Sequence, residues 1–268
     1  MRYGLREIAN VMLKAKVDGQ KVGNKTFEKG QPVCHFTTLK TSSIEGAATT
    51  VYAQGGRGNP RLIAWEGERT LTLTMEDALI SPMGIAILTG AGLIESGEGV
   101  EILTHIAENV DKKDNKFTVS KDAEEKDAWY CVLDEEGNPT GDFKKATIAS
   151  KVVTVEESDA TAILVDYYYK ETGKGATQID IEPGKFGGNY YLEAETLMRD
   201  EATGRDDAAE FILPNCRIQS NFTFTMAASG DPSTFTFTVD AFPGVVKGYN
   251  SKKVLCSIQI VEDAEQGE

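Results

Sequence analysis

Histidine is scarce: His35 and His105 are the only two in 268 residues. The four cysteines, Cys34, Cys131, Cys216 and Cys256, are widely spaced and form no C-x-x-C pair. That combination argues against a zinc site. It reads instead as buried free thiols in a reducing compartment. No Gly-x-Ser-x-Gly nucleophile elbow and no Gly-x-x-x-x-Gly-Lys-Ser/Thr phosphate loop occurs. Gly90-Ala91-Gly92 lacks the third glycine of a dinucleotide loop and follows a helical pattern rather than opening one. The most apolar run, Ala78 to Leu88, contains Pro82 and is too short to span a bilayer. The first residues, Met-Arg-Tyr-Gly-Leu-Arg-Glu, carry no apolar core of a signal peptide. Basic side chains are outnumbered, 28 Lys and Arg against 42 Asp and Glu, for a formal charge of -14. Such a surface repels phosphate backbones and anionic membranes. No catalytic residue, metal ligand, cofactor or membrane contact is expected.

What is present is sheet. Phe222-Thr223-Phe224-Thr225-Met226 and Phe235-Thr236-Phe237-Thr238-Val239 alternate large apolar residues with threonine. This is the period-2 mark of a half-buried strand. The turn formers Ala-Ala-Ser-Gly-Asp-Pro-Ser between them predict a hairpin. Thr70-Leu71-Thr72-Leu73-Thr74-Met75 repeats the pattern. Further strands are expected at 11–17, 33–39, 152–155, 162–169, 190–198, 211–213 and 254–261, with a tight turn at Asp18-Gly19. The run Ile163-Leu164-Val165-Asp166-Tyr167-Tyr168-Tyr169 is apolar on both sides, which suits a strand covered on both faces or at a subunit boundary. One helix stands out: Ser81 is a good N-cap, Pro82 a good first residue, and Gly90 or Gly92 a good stop.

The fold class expected is mainly β, with two packed antiparallel sheets, one short flanking helix and a long arm loop. Residues 1–105 form the first part of the core, containing the arm (41–69) and the helix (81–89). Residues 106–150 form a β-rich insertion, in which Asp111 to Lys116 and Lys121 to Asp127 are solvated charge runs. Residues 151–268 complete the core and end in a frayed acidic tail. The arm, rich in Gly, Ser, Thr and Ala, reads as a structureless connection, and connections of that length are often functional. Its aromatic and arginine side chains favour protein contacts.

Two groups of carboxylates invite a chemical reading. Asp200 to Asp207 resembles a cation loop, but its spacing is not that of an EF-hand, and a solvated turn is the simpler reading. Glu193 and Glu195, at i and i+2, fall on one polar strand face and need no catalytic role.

Several motifs together resemble the major tail tube proteins of tailed bacteriophages. They are Tyr52-Ala53-Gln54-Gly55-Gly56-Arg57-Gly58-Asn59, Arg61-Leu62-Ile63-Ala64-Trp65-Glu66-Gly67 and Glu76-Asp77-Ala78-Leu79-Ile80-Ser81-Pro82. Near the end come Asn215-Cys216-Arg217-Ile218-Gln219-Ser220-Asn221-Phe222 and Ser229-Gly230-Asp231-Pro232-Ser233-Thr234-Phe235. The resemblance spans roughly 40–95 and 160–245; the stretch 106–150 departs from a minimal tube protein. It implies a non-enzymatic virion tail component, assembled in the host cytoplasm. The resemblance further implies that six-fold rings of it stack into a hollow tube that guides viral DNA without binding it specifically. The expected partners are other copies of the chain, with tail sheath, baseplate or terminator proteins. Tyr52, Arg57, Asn59, Arg61 and Trp65 are then the subunit-interface candidates, and Glu193 and Glu195 the lumen or wet-face candidates. Other readings are a tail terminator, a capsid decoration protein, or a carbohydrate-binding β-sandwich whose groove uses Tyr167, Tyr168, Tyr190 or Tyr191.

Overall fold

The computed structural model describes residues 2–5, 7–124, 127–157, 159–226, 228–229, 234–248 and 251–262. Its strands, in chain order, begin with β1 (Tyr3–Leu5), β2 (Asn10–Ala15), β3 (Gln20–Val22), β4 (Lys25–Phe27) and β5 (Pro32–Phe36). Two long strands, β6 (Leu39–Gln54) and β7 (Arg61–Asp77), precede α1 (Pro82–Thr89), the single helix among the described residues. Then come β8 (Gly92–Glu95), β9 (Ile102–Lys113), β10 (Lys116–Thr118), β11 (Asp127–Leu133), β12 (Pro139–Ala149) and β13 (Val152–Thr154). The chain continues with β14 (Ala162–Glu171), β15 (Thr177–Asp180), β16 (Asn189–Asp200), β17 (Asp206–Ile218), β18 (Phe235–Ala241) and β19 (Ser257–Val261). The protein is mainly β. The strands divide among a nine-stranded sheet, a closed six-stranded barrel and two ribbons, β3-β4 and β8-β15, a different partition from two packed sheets. Two compact units are present, Met1–Leu93 with Ile179–Glu268, and Ile94–Gln178. The second is wider at both ends than the 106–150 segment marked from sequence.

The first unit is organised by the nine-stranded sheet, in the order β5-β2-β16-β17-β18-β7-β6. β1 adds to β16 alongside β2, and β19 adds to β17 alongside β18. Alternation places Val11, Leu13, Leu192, Ala194, Leu213, Phe237, Val239, Leu73 and Met75 on one face, where all are buried. Helix α1 closes this face with Ile87 and Leu88. Each such side chain contributes about 1.5–3 kcal/mol by leaving water, so the helix is held by packing despite its length. Its caps follow the sequence. Ser81 Oγ accepts from Gly84 N at 3.0 Å, and Gly90, at φ 71°, donates to Ala86 O at 2.8 Å.

Phe222–Met226 is not a strand. The partner it was expected to join, β18, gives one edge to β7 along Phe235–Asp240; on the other edge β17 pairs at Val239–Ala241, a last bond runs from Gln219 N to Thr238 O, and the ladder stops there, short of Phe222–Met226. The alternation survives only as packing: Phe222 and Phe224 are half-buried, and Phe224 meets Phe235 edge-on at 5.6 Å. Ala227 and residues 230–233 of the expected turn lie outside the described residues, as do 125–126 of the second charge run and 263–268 of the tail.

The second unit is a barrel of β10-β13-β12-β11-β14-β9. Ile163, Val165 and Tyr167 of β14 point into it and are buried, whereas Tyr168 is exposed. The double-sided apolar run is therefore one buried face and one wet face. Both buried tyrosine hydroxyls have partners, as polar tips inside a core require. Tyr167 donates to Glu108 at 2.7 Å; Tyr130 donates to Glu157 and accepts from Glu156 N. The first charge run is the end of β9 and its turn, with Asp114 at φ 51° and Asn115 at φ 60°, the left-handed pair of a type I′ hairpin.

Candidate functional site

The arm is a paired β-hairpin, not a loop. β6 and β7 stay in register from Leu39↔Asp77 to Gln54↔Arg61, with three shifts on the way. β18 supports β7 only as far as Thr72. Beyond that point a two-stranded ribbon of about 30 Å continues, at about 3.3 Å per residue. Its residues are exposed on both faces almost throughout. With no dry face there is no apolar–polar alternation, which is why the sequence reads as unstructured. The β-formers Thr49, Thr50, Val51, Tyr52, Ile63 and Trp65 still favour extended backbone, and the glycine-rich part is confined to the turn.

Each candidate residue of the arm now has a place. Arg61 lies with its guanidinium 4.1 Å from the centroid of the Tyr52 ring. Asn59 serves the turn: its backbone sits at φ 48°, its N–H donates to Gly56 O, and its side-chain amide donates to Gln54 Oε1 at 3.2 Å. Arg57 is exposed in the same turn. Trp65 pairs with Val51 across the ladder, and both are over half exposed, at 54% and 63%. The neighbouring pair on that face is Ala53↔Ile63, and Ile63 is exposed as well. Val51 and Ile63 were missed in the sequence. Without a known strand register, nothing there marks them as sharing a face with Trp65.

A lower bulge shapes the ribbon. Between Ala48↔Arg69 and Thr50↔Glu66 the second strand carries an extra residue. Thr49 Oγ1 accepts from Glu68 N at 2.9 Å. A Cβ on Gly67 would stand 2.5 Å from that oxygen, so the close approach requires glycine.

On the wet face of the large sheet, the register sets Asn10, Glu195, Glu210 and Gln259 side by side on β2, β16, β17 and β19. Glu193 lies one position away on that face and is paired with Lys14. Burial pushes the Glu210 carboxyl up, and the charges of Glu193 and Glu195 push it further. Like charges opposite each other are destabilising in a sheet, so the row carries a standing cost. Glu210 escaped the sequence reading because only Phe211–Leu213 of β17 was read as strand.

The other chemical candidates resolve into structure. Asp200 accepts from the N–H groups of Ala202 and Thr203, which holds its carboxyl below the usual range. Asp206 forms a two-pronged pair with Arg199, both contacts at 2.7 Å. These carboxylates organise the turn. His35 lies on β5, and His105 Nε2 is 2.7 Å from Asp166 Oδ1. Tyr167 and Tyr190 are buried in separate cores, so they cannot line a sugar groove. Among the described residues no helix is long and apolar enough to cross a membrane.

The antiparallel sheet thus carries a two-stranded ribbon with an exposed apolar face of Val51, Ile63 and Trp65. The chain belongs to the YomU/Tube protein family, whose model matches residues 4–253. That agrees with the tail tube resemblance and makes the protein a structural, tail tube-type component of a phage virion. A search of curated proteins finds no significant match.

Proposed function

We propose that this chain is the repeating subunit of a tail tube, joined into hexameric rings that stack around a channel for viral DNA. The observation that carries the reading is the β6-β7 ribbon, which exposes Val51, Ile63 and Trp65 on one face. A solitary two-stranded ribbon is marginal in water, and a neighbouring subunit would cover it. The sheet edges support the same reading. β1 carries Leu5 at 68% exposure, and β19 on the opposite side carries Val261 at 60%. Neither strand has an outer partner among the described residues. Two unlike edges joined head to tail close a ring, and unlike contacts along the axis extend it. In this arrangement the Glu193, Glu195 and Glu210 face lines the channel and repels phosphates. Sheath, baseplate or terminator proteins would meet the outer wall and the tube ends, and assembly would take place in the host cytoplasm.

Negative-stain microscopy of the purified protein at rising concentration tests this. Tubes of uniform bore are expected. Deleting Gly55–Asn59 should leave a folded monomer that forms none. Polymerisation that survives the deletion intact would reject the role given to the ribbon, and isolated rings would favour a terminator or decoration protein.

A further inference from the structure

A separate surface lies on the barrel. The strands β12, β11, β14 and β9 are consecutive neighbours in it, and their outward positions can be read row by row. Lys145, Trp129, Asp166 and Ala107 form one row. In the next, Tyr168 lies opposite His105. Trp129 is 44% exposed and Tyr168 42%. They are diagonal neighbours, so their side chains are about 7–8 Å apart. Asp166 stands between them and contacts His105 through Oδ1 at 2.7 Å. The His105 ring in turn meets Tyr168, centroids 5.4 Å apart. Lys145 Nζ is 5.8 Å from the centre of the Trp129 ring.

We propose that this face binds neutral polysaccharide, with Trp129 and Tyr168 as stacking surfaces and Asp166 and His105 as the hydroxyl-binding pair. The barrel is closed, so it offers no strand edge to a partner, and recognition falls to its outer face. Exposed aromatic rings gain by covering their faces with C–H groups. A sugar ring supplies those groups on its face and hydroxyls at its rim. The hydroxyls match the groups between the rings: Asp166 keeps an oxygen free of any partner among the described residues, and the His105 ring lies beside it. A protein interface of apolar side chains would instead strip water from the Asp166–His105 pair without replacing its hydrogen bonds, a cost in kind with burying any polar group unpaired. One carboxylate, one ammonium and one imidazole leave no net attraction for an anionic chain, and the whole protein carries -14. The proposal does not rest on the tube reading, since all its residues belong to the barrel unit.

The chain has two tryptophans, so Trp65→Phe leaves Trp129 as the sole indole fluorophore. The full-length W65F protein is run by affinity electrophoresis through gels containing starch, laminarin, mannan or galactan, and its emission is recorded with each polymer. Retardation in at least one gel is expected, with a blue shift of Trp129 emission. Trp129→Ala and Tyr168→Ala should each abolish the retardation, and Asp166→Asn should weaken it. No retardation in any gel, or retardation indifferent to Trp129→Ala, overturns the proposal. So does a change in sedimentation on Trp129→Ala, which would make the face a protein contact. Circular dichroism of the variants excludes misfolding, and tube formation is scored separately, so failure here leaves the assembly reading standing.

Discussion

The guanidinium of Arg61 rests on the ring of Tyr52 across the two strands of the ribbon, 4.1 Å from its centroid. An exposed contact of this kind contributes about 0.5–1 kcal/mol, enough to hold one face of a marginal hairpin. Arg61→Ala should therefore reduce hydrogen-exchange protection in residues 45–54 and 61–71. The global melting temperature should shift by no more than other surface changes do, about 0.5 kcal/mol in stability. Trp65→Ala should leave both unchanged and still raise the concentration needed for polymerisation, read by sedimentation velocity. A large fall in monomer stability on Trp65→Ala would mean that the indole packs within its own subunit.

The bulge makes a sharper case. Gly67→Ala places a methyl group 2.5 Å from Thr49 Oγ1, whereas the next nearest atom, Thr49 O, is 3.5 Å away. The conflict is thus with one removable atom. Gly67→Ala alone should loosen the ribbon by about 1–3 kcal/mol, the usual scale of overpacking. Adding Thr49→Ala should restore most of that, less the hydrogen bond from Glu68 N, about 1 kcal/mol. Amide exchange at Glu66–Glu68 measures both. If the double variant is as loose as the single one, the bulge is not held by this contact.

What the sequence makes legible follows burial. Where one face is dry, as in β7 near Leu73 and β18, alternation fixes element, face and core residues together, whereas around β2 the spacing of Ile8, Met12 and Leu13 also fits a helix. The helix was readable from its ends, because Ser81, Pro82 and Gly90 act locally. The ribbon was not readable as strand, because Val51 through Gln54 and Arg61 through Trp65 have no inside. Phe222–Met226 misled for the opposite reason. Its alternation reflects packing of two rings onto the sheet, and only the register, in which the ladder between β17 and β18 ends at Gln219 and Thr238, shows that the segment does not continue it. Tyr52, Arg61 and Trp65 were picked out by residue type, which chemistry alone supplies. Glu210 and Val51 needed register, which a single sequence does not contain.

Gly90 tests the helix terminus. It holds φ 71°, and a Cβ there would stand 2.4 Å from the carbonyl carbon of Phe186. Both objections act together: a left-handed backbone costs a non-glycine residue about 1–2 kcal/mol, and the neighbour is main chain, which cannot swing aside. Gly90→Ala should lower the melting temperature far more than Gly92→Ala, whose Cβ would meet nothing within 4 Å. Equal effects from the two would show that the 186–187 segment shifts freely away from the helix.

The acidic row sets a direction for pH. Glu210 has its carboxyl raised in the folded protein, first by burial and then by Glu193 and Glu195, with Lys14 opposing. A folded-state pKa above the unfolded one means the native protein binds more protons, so stability falls as pH rises through that interval. The contribution is fully present below the ordinary glutamate range and is lost above the raised value. Glu210→Gln removes the charge and keeps the shape, so it should raise the melting temperature near neutral pH and leave it nearly unchanged in acid. Melting curves of the two proteins across the weakly acidic range should converge as pH falls. The same logic reaches assembly, because in the proposed ring six such faces around a channel would concentrate their charge. Added salt or mild acid should then lower the concentration at which wild-type tubes form, and Glu210→Gln should lower it at neutral pH without added salt. Divergence of the melting curves toward low pH would show that Glu210 is stabilised as a carboxylate, and the row would have to be held together by cations outside it.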